Sequence, residues 1–384
     1  MLTSPRPIYL DHHATTPVDP RVVTVIARTL TETYGNPNST DHAFGDAARL
    51  LVDQAAEHVA QLVGASSSLQ VHFTSGSSES LALALQHAEG ASARPLQVAA
   101  SPLEHRALLD LLNSGQHKGT ITIRWLAVDH LGRLNLTDLE ENLREGIDLV
   151  CLMSANNEIG NLYPVADVAR LCQSYSSRLL VDATQSVGRE PLSLDDWGID
   201  YLTLSAHKMY GPKGVGALVV STTVQQQSPA TLSHHGTPNV PGIAGLGEAA
   251  RLRGIEMRQD EPRIRALRDD LQRRLIELIP GLVINGDMEN RLSHNLHVSI
   301  PDVPNSAVTS RLRETVAIST GSACTSGAQE PSHVLRALRL PEEHQEGALR
   351  LSPGKFTTSE EIKQAAELIA KAVQEIRVLF GFPA

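Results

Sequence analysis

The sequence predicts an α/β protein with a mostly parallel sheet covered by helices, together with a smaller α+β domain. Three observations predict this class. Short apolar runs alternate with helical patterns along most of the chain, a lysine and an aspartate follow two of these runs, and 384 residues are too many for one simple core.

Seven short apolar runs are candidates for the strands of the large sheet. Segments with helical periodicity separate them, which is typical of parallel strands joined by helical crossovers. The runs lie at residues 71–73, 96–99, 121–126, 148–153, 178–181, 200–204 and 216–220. We therefore assign residues 15–250 to a large cofactor-binding domain with a seven-stranded sheet.

Residues 1–14 and 251–384 are assigned to the small domain. Strand-like runs are predicted at 282–284, 296–300 and 316–318, after a charged helix over about 249–279. The arginines of that helix are interpreted as a solvated face; they are Arg263, Arg265, Arg268 and Arg273. The last helix is predicted to begin at a capping box, Thr358 to Glu361. Its apolar face carries Ile362, Ala366, Ile369, Val373 and Ile376.

Composition argues against several classes of protein. A net charge of −10 does not suit a broad nucleic-acid-binding surface, so no direct nucleic-acid binding is expected. No apolar stretch approaches the length of a membrane span, and residues 1–7 lack the apolar region of a signal peptide. Three scattered cysteines make neither a disulfide framework nor a zinc site, which favours a reducing compartment and the cytoplasm. Cys151 and Cys172 lie in apolar patterns and are interpreted as inert core residues.

Lys208 and Asp182 come at or just after the ends of two predicted strands, at the sheet edge where ligands collect. A lysine amine can form a Schiff base with the aldehyde of pyridoxal phosphate, and a buried acid can keep the pyridine nitrogen protonated. Cys324 lies in a loop of small residues, 319–326, and provides a thiol. Together these residues suggest a cofactor that activates an amino acid and a thiol that takes an atom from it.

Motifs along nearly the whole chain support this interpretation. They lie at 9–11, 14–17, 35–37, 73–80, 104–105, 156–160, 182–185, 205–208, 319–326, 330–335 and 350–352. With these motifs the sequence resembles the pyridoxal-phosphate-dependent cysteine desulfurases, a group within the fold-type I aminotransferase superfamily. The loop around Cys324 resembles the subgroup with an extended cysteine loop.

The resemblance implies a role for each cofactor residue. Lys208 would bind the cofactor covalently and then remove the Cα proton of the substrate. Asp182 would pair with the pyridine nitrogen, Gln185 would bond the phenolic oxygen, and His105 would stack on the ring and shuttle protons. The phosphate would be held by Ser77, Ser78, Ser205 and His207, with Thr237 from a neighbouring subunit.

Substrate and sulfur roles follow in the same way. Asn157 and Arg350 would bind the carboxylate of L-cysteine, and Cys324 would be the nucleophile that keeps the sulfur as a persulfide while L-alanine is released. The resemblance also implies a homodimer and a sulfur-acceptor protein. Iron–sulfur cluster assembly, tRNA thiolation and DNA phosphorothioation all begin with such a persulfide.

Alternatives stay open at this point. One is a selenocysteine lyase or another aminotransferase-like enzyme on the same fold, and another is a non-catalytic scaffold that works by binding partners. The segment 228–235, which precedes Gly236 and Thr237, is shorter than the segment that members of the family usually carry at this place. This departure puts in doubt the contact of Thr237 with the partner's phosphate, the access route and the usual acceptor.

Overall fold

A computed structural model describes residues 6–227, 236–320 and 332–381. Its strands are β1 (Ile8–Tyr9), β2 (Val71–Thr74), β3 (Leu96–Ala100), β4 (Ile121–Trp125), β5 (Leu149–Met153), β6 (Arg178–Asp182), β7 (Tyr201–Ser205), β8 (Gly216–Val220), β9 (Val283–Ile284), β10 (Leu296–Ser299), β11 (Val316–Ala317) and β12 (Ala348–Leu351). All seven strands predicted for the large sheet are present, and every strand end agrees with the prediction within one residue.

The helices connect and cover these strands. They are α1 (Pro20–Glu32), α2 (Ala43–Val63), α3 (Ser77–Gly90), α4 (Arg106–Lys118), α5 (Leu136–Arg144), α6 (Val165–Ser174), α7 (Leu194–Trp197), α8 (Thr222–Gln227), α9 (Val240–Leu278), α10 (Asn305–Leu312), α11 (His333–Ala337), α12 (Glu342–Glu346) and α13 (Ser359–Phe380). Among the described residues, no helix is long and apolar enough to cross a membrane.

The large sheet is mostly parallel, as predicted. Its strand order is β2-β8-β7-β6-β5-β3-β4, and only β8 runs antiparallel to its two neighbours. Every residue of β5, β7 and β8 is buried, because helices cover both faces of the sheet. This explains why these strands read as continuous apolar runs rather than as alternating patterns.

Two smaller sheets pack on a separate apolar core. One is the antiparallel sheet β12-β10-β9, and the other is the parallel pair β1-β11, which joins the N-terminal segment to the C-terminal third of the chain. Leu271, Leu349 and Ile369 belong to this core. Strand β12 is not among the predicted strands, since Arg350 interrupts its apolar run.

Helix α9 is longer than predicted and starts at Val240 instead of about 249. The Asn239 side chain caps it by accepting a hydrogen bond from the Gly242 N–H (3.1 Å). Its first turns pack in the core of the large sheet, whereas Leu271 and Leu275 pack in the second core. The boundary near residue 250 therefore falls inside this helix, and the two-domain division remains our proposal.

One arginine of α9 corrects the sequence prediction. Arg263, Arg265 and Arg273 are exposed as expected, but Arg268 is buried. Its guanidinium donates to the Asn295 carbonyl oxygen (2.9 Å) and pairs with Asp269. The prediction of a fully solvated arginine face was wrong at this position, because the helix turns this residue toward the loop before β10.

The predictions for α13 and for two cysteines are confirmed. The Glu361 N–H donates to the Thr358 hydroxyl, and the Glu361 carboxylate accepts from the Thr358 N–H, which completes the capping box. All five residues of the predicted apolar face are buried. Cys151 and Cys172 are buried and free, and burial raises the pKa of each thiol.

Candidate active site

The predicted cofactor and substrate residues gather at one edge of the large sheet. Asp182 and Ser205 are the last residues of β6 and β7, and Asn157 and His105 follow β5 and β3. These four strands are parallel, so their carboxyl ends meet at the same edge. That edge is where ligands bind in open α/β sheets.

Lys208 lies in a single 3₁₀ turn directly after β7. Its Nζ donates hydrogen bonds to the carbonyl oxygens of Ala14 (2.9 Å) and His13. Its own carbonyl accepts from the Arg189 guanidinium (3.3 Å). Lys208 is half-buried, and the amine is held by backbone oxygens of the N-terminal segment.

Asp182 is buried beside this lysine turn, since β6 and β7 are neighbours and Asp182 pairs with Thr203. Its Oδ1 accepts from the Thr184 N–H (3.0 Å), from the Thr184 hydroxyl and from the Thr203 hydroxyl (3.3 Å). The second oxygen, Oδ2, takes part in none of these bonds. The carboxylate is thus oriented while one oxygen is left for a further partner.

The predicted phosphate residues lie on two neighbouring segments. Thr74 and Ser205 both pair with Gly216 of β8, which brings the start of α3 next to Ser205. A Cβ atom built on Gly76, the N-cap of α3, would lie 3.7 Å from Ser205 Oγ. Ser77 and Ser78 are the first helical residues after Gly76, where backbone N–H groups have no partner within the helix.

The other two predicted phosphate residues, His207 and Thr237, lie on segments other than α3 and β7. The Nδ1 atom of His207 is 3.1 Å from the Thr15 hydroxyl, and burial, reinforced by Lys208 and Lys213, lowers the pKa of His207 to about 4. Thr237 is exposed, just before the cap of α9. Its expected contact is with a neighbouring subunit and stays a prediction.

Arg350 and Asn157 meet in a buried polar site. Arg350 lies on β12, and its Nη1 donates to the Asn157 carbonyl oxygen (2.8 Å) while its Nη2 donates to Asp11 Oδ1 (2.9 Å). Arg350 Nε and Asn157 Oδ1 are buried without a partner among the described residues. An unpaired buried donor costs about 1–3 kcal/mol. The free Arg350 donor is therefore suited to a carboxylate, whereas the free Asn157 oxygen, which only accepts, is suited to a donor such as an amino group.

His105 caps α4 at the same sheet edge. Its Nδ1 accepts from the Ala107 N–H (3.2 Å), so the proton of the neutral ring is on Nε2. The preceding residue, Glu104, is fully buried and accepts from the Met153 N–H (2.9 Å). Burial, reinforced by the charge of Asp182, raises the pKa of Glu104 well above its usual value.

The predicted nucleophile, Cys324, lies outside the described residues. The residues on either side of segment 321–331 are nevertheless tied to the substrate site. Ser319 exchanges two backbone hydrogen bonds with Arg350 (2.7 and 3.1 Å), and the Ser332 hydroxyl donates to the Glu158 carboxylate (2.5 Å). The described residues on both sides of this segment are therefore held beside Arg350 and Asn157.

Sequence reasoning missed the part played by residues 11–16. Asp11 binds Arg350, the carbonyl oxygens of His13 and Ala14 bind Lys208, and Thr15 contacts His207. The His13 ring also bonds Gln185, with 3.0 Å between Nδ1 and Oε1. The motif at 14–17 was a signal for this segment, but it did not reveal which side chains the segment contacts.

Comparison with known proteins agrees with this geometry. The sequence profile of the family described as aminotransferase class-V matches residues 8–365. The cysteine desulfurase IscS of Anaeromyxobacter dehalogenans (strain 2CP-C) is 38% identical over 380 residues, which cover 97% of this chain and 93% of the relative. A solved NifS-like protein superimposes with a TM-score of 0.87 at 32% identity, covering 97% of this chain and all of the other. A protein named SspA, solved in complex with cysteine, has a TM-score of 0.77 at 26% identity, and the match covers 91% of this chain and 100% of SspA.

The fold and the lysine–aspartate arrangement define a pyridoxal-phosphate-dependent enzyme of fold type I. The chain belongs to the class-V aminotransferase family and, within it, to the cysteine desulfurases.

The residues present fit the cofactor of this family, pyridoxal phosphate. The start of α3 lies beside Ser205 and offers N–H groups to a phosphate, while Asp182 keeps one oxygen for a pyridinium nitrogen. The Lys208 amine lies on the turn that follows Ser205.

Proposed function

We propose that this protein removes sulfur from L-cysteine, releases L-alanine and carries the sulfur as a persulfide on Cys324 to an acceptor protein. The observation that carries the proposal is the buried donor Arg350 Nε, which has no partner among the described residues. Arg350 binds the Asn157 carbonyl oxygen at the sheet edge that also holds Lys208 and Asp182. A carboxylate recognition site beside a cofactor lysine is what an amino acid substrate requires.

Cofactor binding is assigned to residues at the ends of β6 and β7 and at the start of α3. Lys208 would bind the cofactor through the side-chain amine. Asp182 would pair with the pyridine nitrogen of the cofactor, and Gln185 would donate to its phenolic oxygen. The phosphate would be bound by Ser77, Ser78, Ser205 and His207, together with Thr237 of the partner subunit. When bound, pyridoxal phosphate supplies an electron-withdrawing ring that acidifies the substrate Cα proton and weakens the Cβ–S bond.

Proton transfer is then the work of the chain's own side chains. Lys208 Nζ accepts the Cα proton, and the carbonyl oxygens of His13 and Ala14 stabilise the ammonium that results. His105 keeps Nδ1 as an acceptor for the Ala107 N–H, so it exchanges protons through Nε2. Arg350 holds the substrate carboxylate while these transfers occur.

The Cys324 thiolate is the nucleophile in the sulfur transfer step. This thiolate attacks the substrate sulfur, an S–S bond forms, and the Cβ–S bond breaks. The electron pair of the broken bond stays with the carbon skeleton, which takes up protons and leaves as L-alanine. The anchoring of Ser319 to Arg350 and of Ser332 to Glu158 supports this role, because it keeps the described residues on both sides of segment 321–331 near the substrate site.

Replacing the thiol tests the proposal. In Cys324→Ser, alanine formation from L-cysteine is expected to fall to background while the absorbance of the bound cofactor is unchanged. Lys208→Ala is expected to lose both. Unchanged turnover in Cys324→Ser would reject the persulfide step in favour of a lyase or aminotransferase-like enzyme that does not use the thiol. A colourless wild-type protein that binds no added pyridoxal phosphate would favour a scaffold.

We also propose a homodimer. Large apolar side chains are exposed on α1 and α2 and between them, a pattern typical of a surface covered by another chain. They are Leu30, Tyr34, Phe44 and Leu50, and they are 54–68% exposed. Sedimentation of the wild type and of Tyr34→Glu tests this proposal, and a monomer with full activity would contradict it.

We propose the sulfur acceptor from the names of relatives and the compartment from the state of the cysteines. Relatives named IscS support delivery of sulfur to an acceptor protein, in iron–sulfur cluster assembly or nucleic-acid thiolation. The reduced, buried Cys151 and Cys172 support a cytoplasmic location. Segment 228–235, which the resemblance predicts to be shorter than in the family, lies outside the described residues. Exchange of this segment with that of a relative tests its effect on acceptor choice.

A further inference from the structure

Three buried side chains from distant parts of the chain form a line of hydrogen bonds that ends at a cofactor residue. Asn295 Nδ2 lies 3.0 Å from His13 Nε2, and His13 Nδ1 lies 3.0 Å from Gln185 Oε1. Asn295 and His13 have no exposed surface, and Gln185 is 7% exposed. The line joins the loop before β10 to the turn after β6.

Two backbone carbonyls fix the direction of every bond in this line. The Asn295 amide nitrogen also donates to the Glu158 carbonyl oxygen (2.8 Å), and the Gln185 amide nitrogen donates to the His13 carbonyl oxygen (3.2 Å). A carbonyl only accepts, so both of these side-chain atoms are nitrogens. Asn295 must then donate to His13 Nε2, which is unprotonated, and the imidazole proton must be on Nδ1, where it donates to Gln185.

The surroundings of His13 keep its ring neutral and hold it nearly parallel to the His294 ring. Its pKa is lowered by burial and then by the charge of Arg350. The ring of His294 stacks on it, with 4.1 Å between centroids and 25° between planes. A neutral ring with one defined tautomer is what the direction of the bonds requires.

We propose that His13 is a positioning residue that fixes the amide of Gln185 with its oxygen turned inward and its NH₂ group free to donate. One hydrogen of that group binds the His13 carbonyl, and the second remains for a partner. Under the proposed function, on which this inference rests, the partner is the phenolic oxygen of the cofactor. Without the His13 ring, only the 3.2 Å bond to the His13 carbonyl oxygen holds the amide. The amide can then rotate and present its oxygen to the phenolic oxygen, which repels it.

A spectral titration tests the inference without substrate. Pyridoxal phosphate bound to wild-type protein, His13→Phe and His87→Phe is titrated with pH, and the midpoint of the absorbance change is recorded. His87→Phe is the matched control, because His87 is also buried and bonds a side chain, Tyr201 OH (2.9 Å), in another apolar core.

The expected result is a midpoint that is higher by about one pH unit in His13→Phe and unchanged in His87→Phe. A phenolic oxygen without a donor holds its shared proton more tightly, and a hydrogen bond to a charged group is worth about that shift. Equal midpoints in wild type and His13→Phe would overturn the inference. Asn295→Ala, which removes the donor to Nε2, is expected to shift the midpoint in the same direction.

Nitrogen-15 NMR of the wild-type protein labelled at histidine gives a second, independent test. The expected tautomer of His13 carries the proton on Nδ1, and a proton on Nε2 would overturn the inference even if no variant folds. A wild-type protein that binds no cofactor would instead reject the proposed function, while the tautomer would still be measurable.

Discussion

Asp11 and Arg350 are separated by 339 positions in the sequence, yet Asp11 Oδ1 accepts a hydrogen bond from Arg350 Nη2 at 2.9 Å. Three residues further along, the Ala14 carbonyl oxygen binds Lys208 Nζ at the same distance. One short segment therefore sets the positions of both the carboxylate-binding guanidinium and the reactive amine. The spacing of these two groups decides where the substrate Cα lies relative to the base.

Replacing Arg350 with lysine keeps the charge but removes the planar fork of donors. We expect kcat/KM for L-cysteine to fall about 10–100-fold, since the bond to a carboxylate is worth about 1.5–3 kcal/mol. Steady-state alanine formation measures the change. Arg311→Lys, in an exposed ion pair with Glu375, is the control and should match wild type. A normal kcat/KM in Arg350→Lys would place the carboxylate elsewhere.

Asp11 is expected to orient Arg350 rather than to bind substrate. Asp11→Ala removes the acceptor for Nη2, and we expect KM for L-cysteine to rise about tenfold, the effect of one charge-assisted hydrogen bond. Asp11→Asn keeps a side-chain oxygen that accepts the bond and should retain most of the affinity. The comparison of KM values decides the point, and equal values for the two variants would show that the orientation of the guanidinium does not depend on this bond.

Glu158 is expected to make stability depend on pH. Burial raises the pKa of this carboxyl to about 7, against the Ser332 hydrogen bond and the charges of Arg350 and His105. The folded state therefore keeps a proton that the unfolded chain loses above its ordinary value of 4.5. The stability from this group is complete below that value and is lost as pH rises through about 7, by up to about 3 kcal/mol.

Glu158→Gln removes this titration and still presents an oxygen to the Ser332 hydroxyl. We expect urea unfolding at pH 5 and pH 8 to show a smaller loss of stability between the two pH values than in wild type. Glu346→Gln, at an exposed residue of α12, should keep the wild-type loss. If Glu158→Gln and wild type lose the same stability, the carboxyl is ionised in the folded protein.

The sheet and most of its edge could be predicted from the sequence because each depends on local pattern. The buried strands β5, β7 and β8 are apolar along their length, and Asp182 and Lys208 come at or just after strand ends. The bonds of Arg350 to Asp11, of His13 to Gln185 and of Arg268 to the Asn295 carbonyl could not be predicted. They join segments far apart in the chain, and no local periodicity records such a contact.

Arg253 is expected to contribute strongly to stability although it is not among the predicted site residues. Its side chain is 1% exposed and donates to the Gly188 carbonyl (2.7 Å), to Asp260 (2.5 Å) and to Glu261 (2.6 Å). Arg253→Met leaves a carbonyl and a buried carboxylate without this partner, and we expect a loss of about 3–5 kcal/mol in urea unfolding. Arg251, whose side chain is 41% exposed, pairs with Glu248, and Arg251→Met should lose less than about 1 kcal/mol. Similar losses in both variants would show that the buried network adds no stability.

Gly160 is expected to be required both for its backbone conformation and for space beside Asn295. Its φ is 76°, and a Cβ atom there would lie 2.2 Å from Asn295 Cγ. Gly146 has φ 96° with no heavy atom within 4 Å of its Cβ position, so Gly146→Ala measures backbone strain alone.

We expect thermal or urea unfolding to show a loss of about 1–2 kcal/mol for Gly146→Ala and about 2–5 kcal/mol for Gly160→Ala, because the clash adds to the strain. Displacement of Asn295 in Gly160→Ala should also raise the spectral midpoint of the bound cofactor, as in Asn295→Ala, whereas Gly146→Ala should not. A Gly160→Ala protein with the stability and midpoint of Gly146→Ala would mean that Asn295 moves aside without cost and that its bond to His13 is not needed.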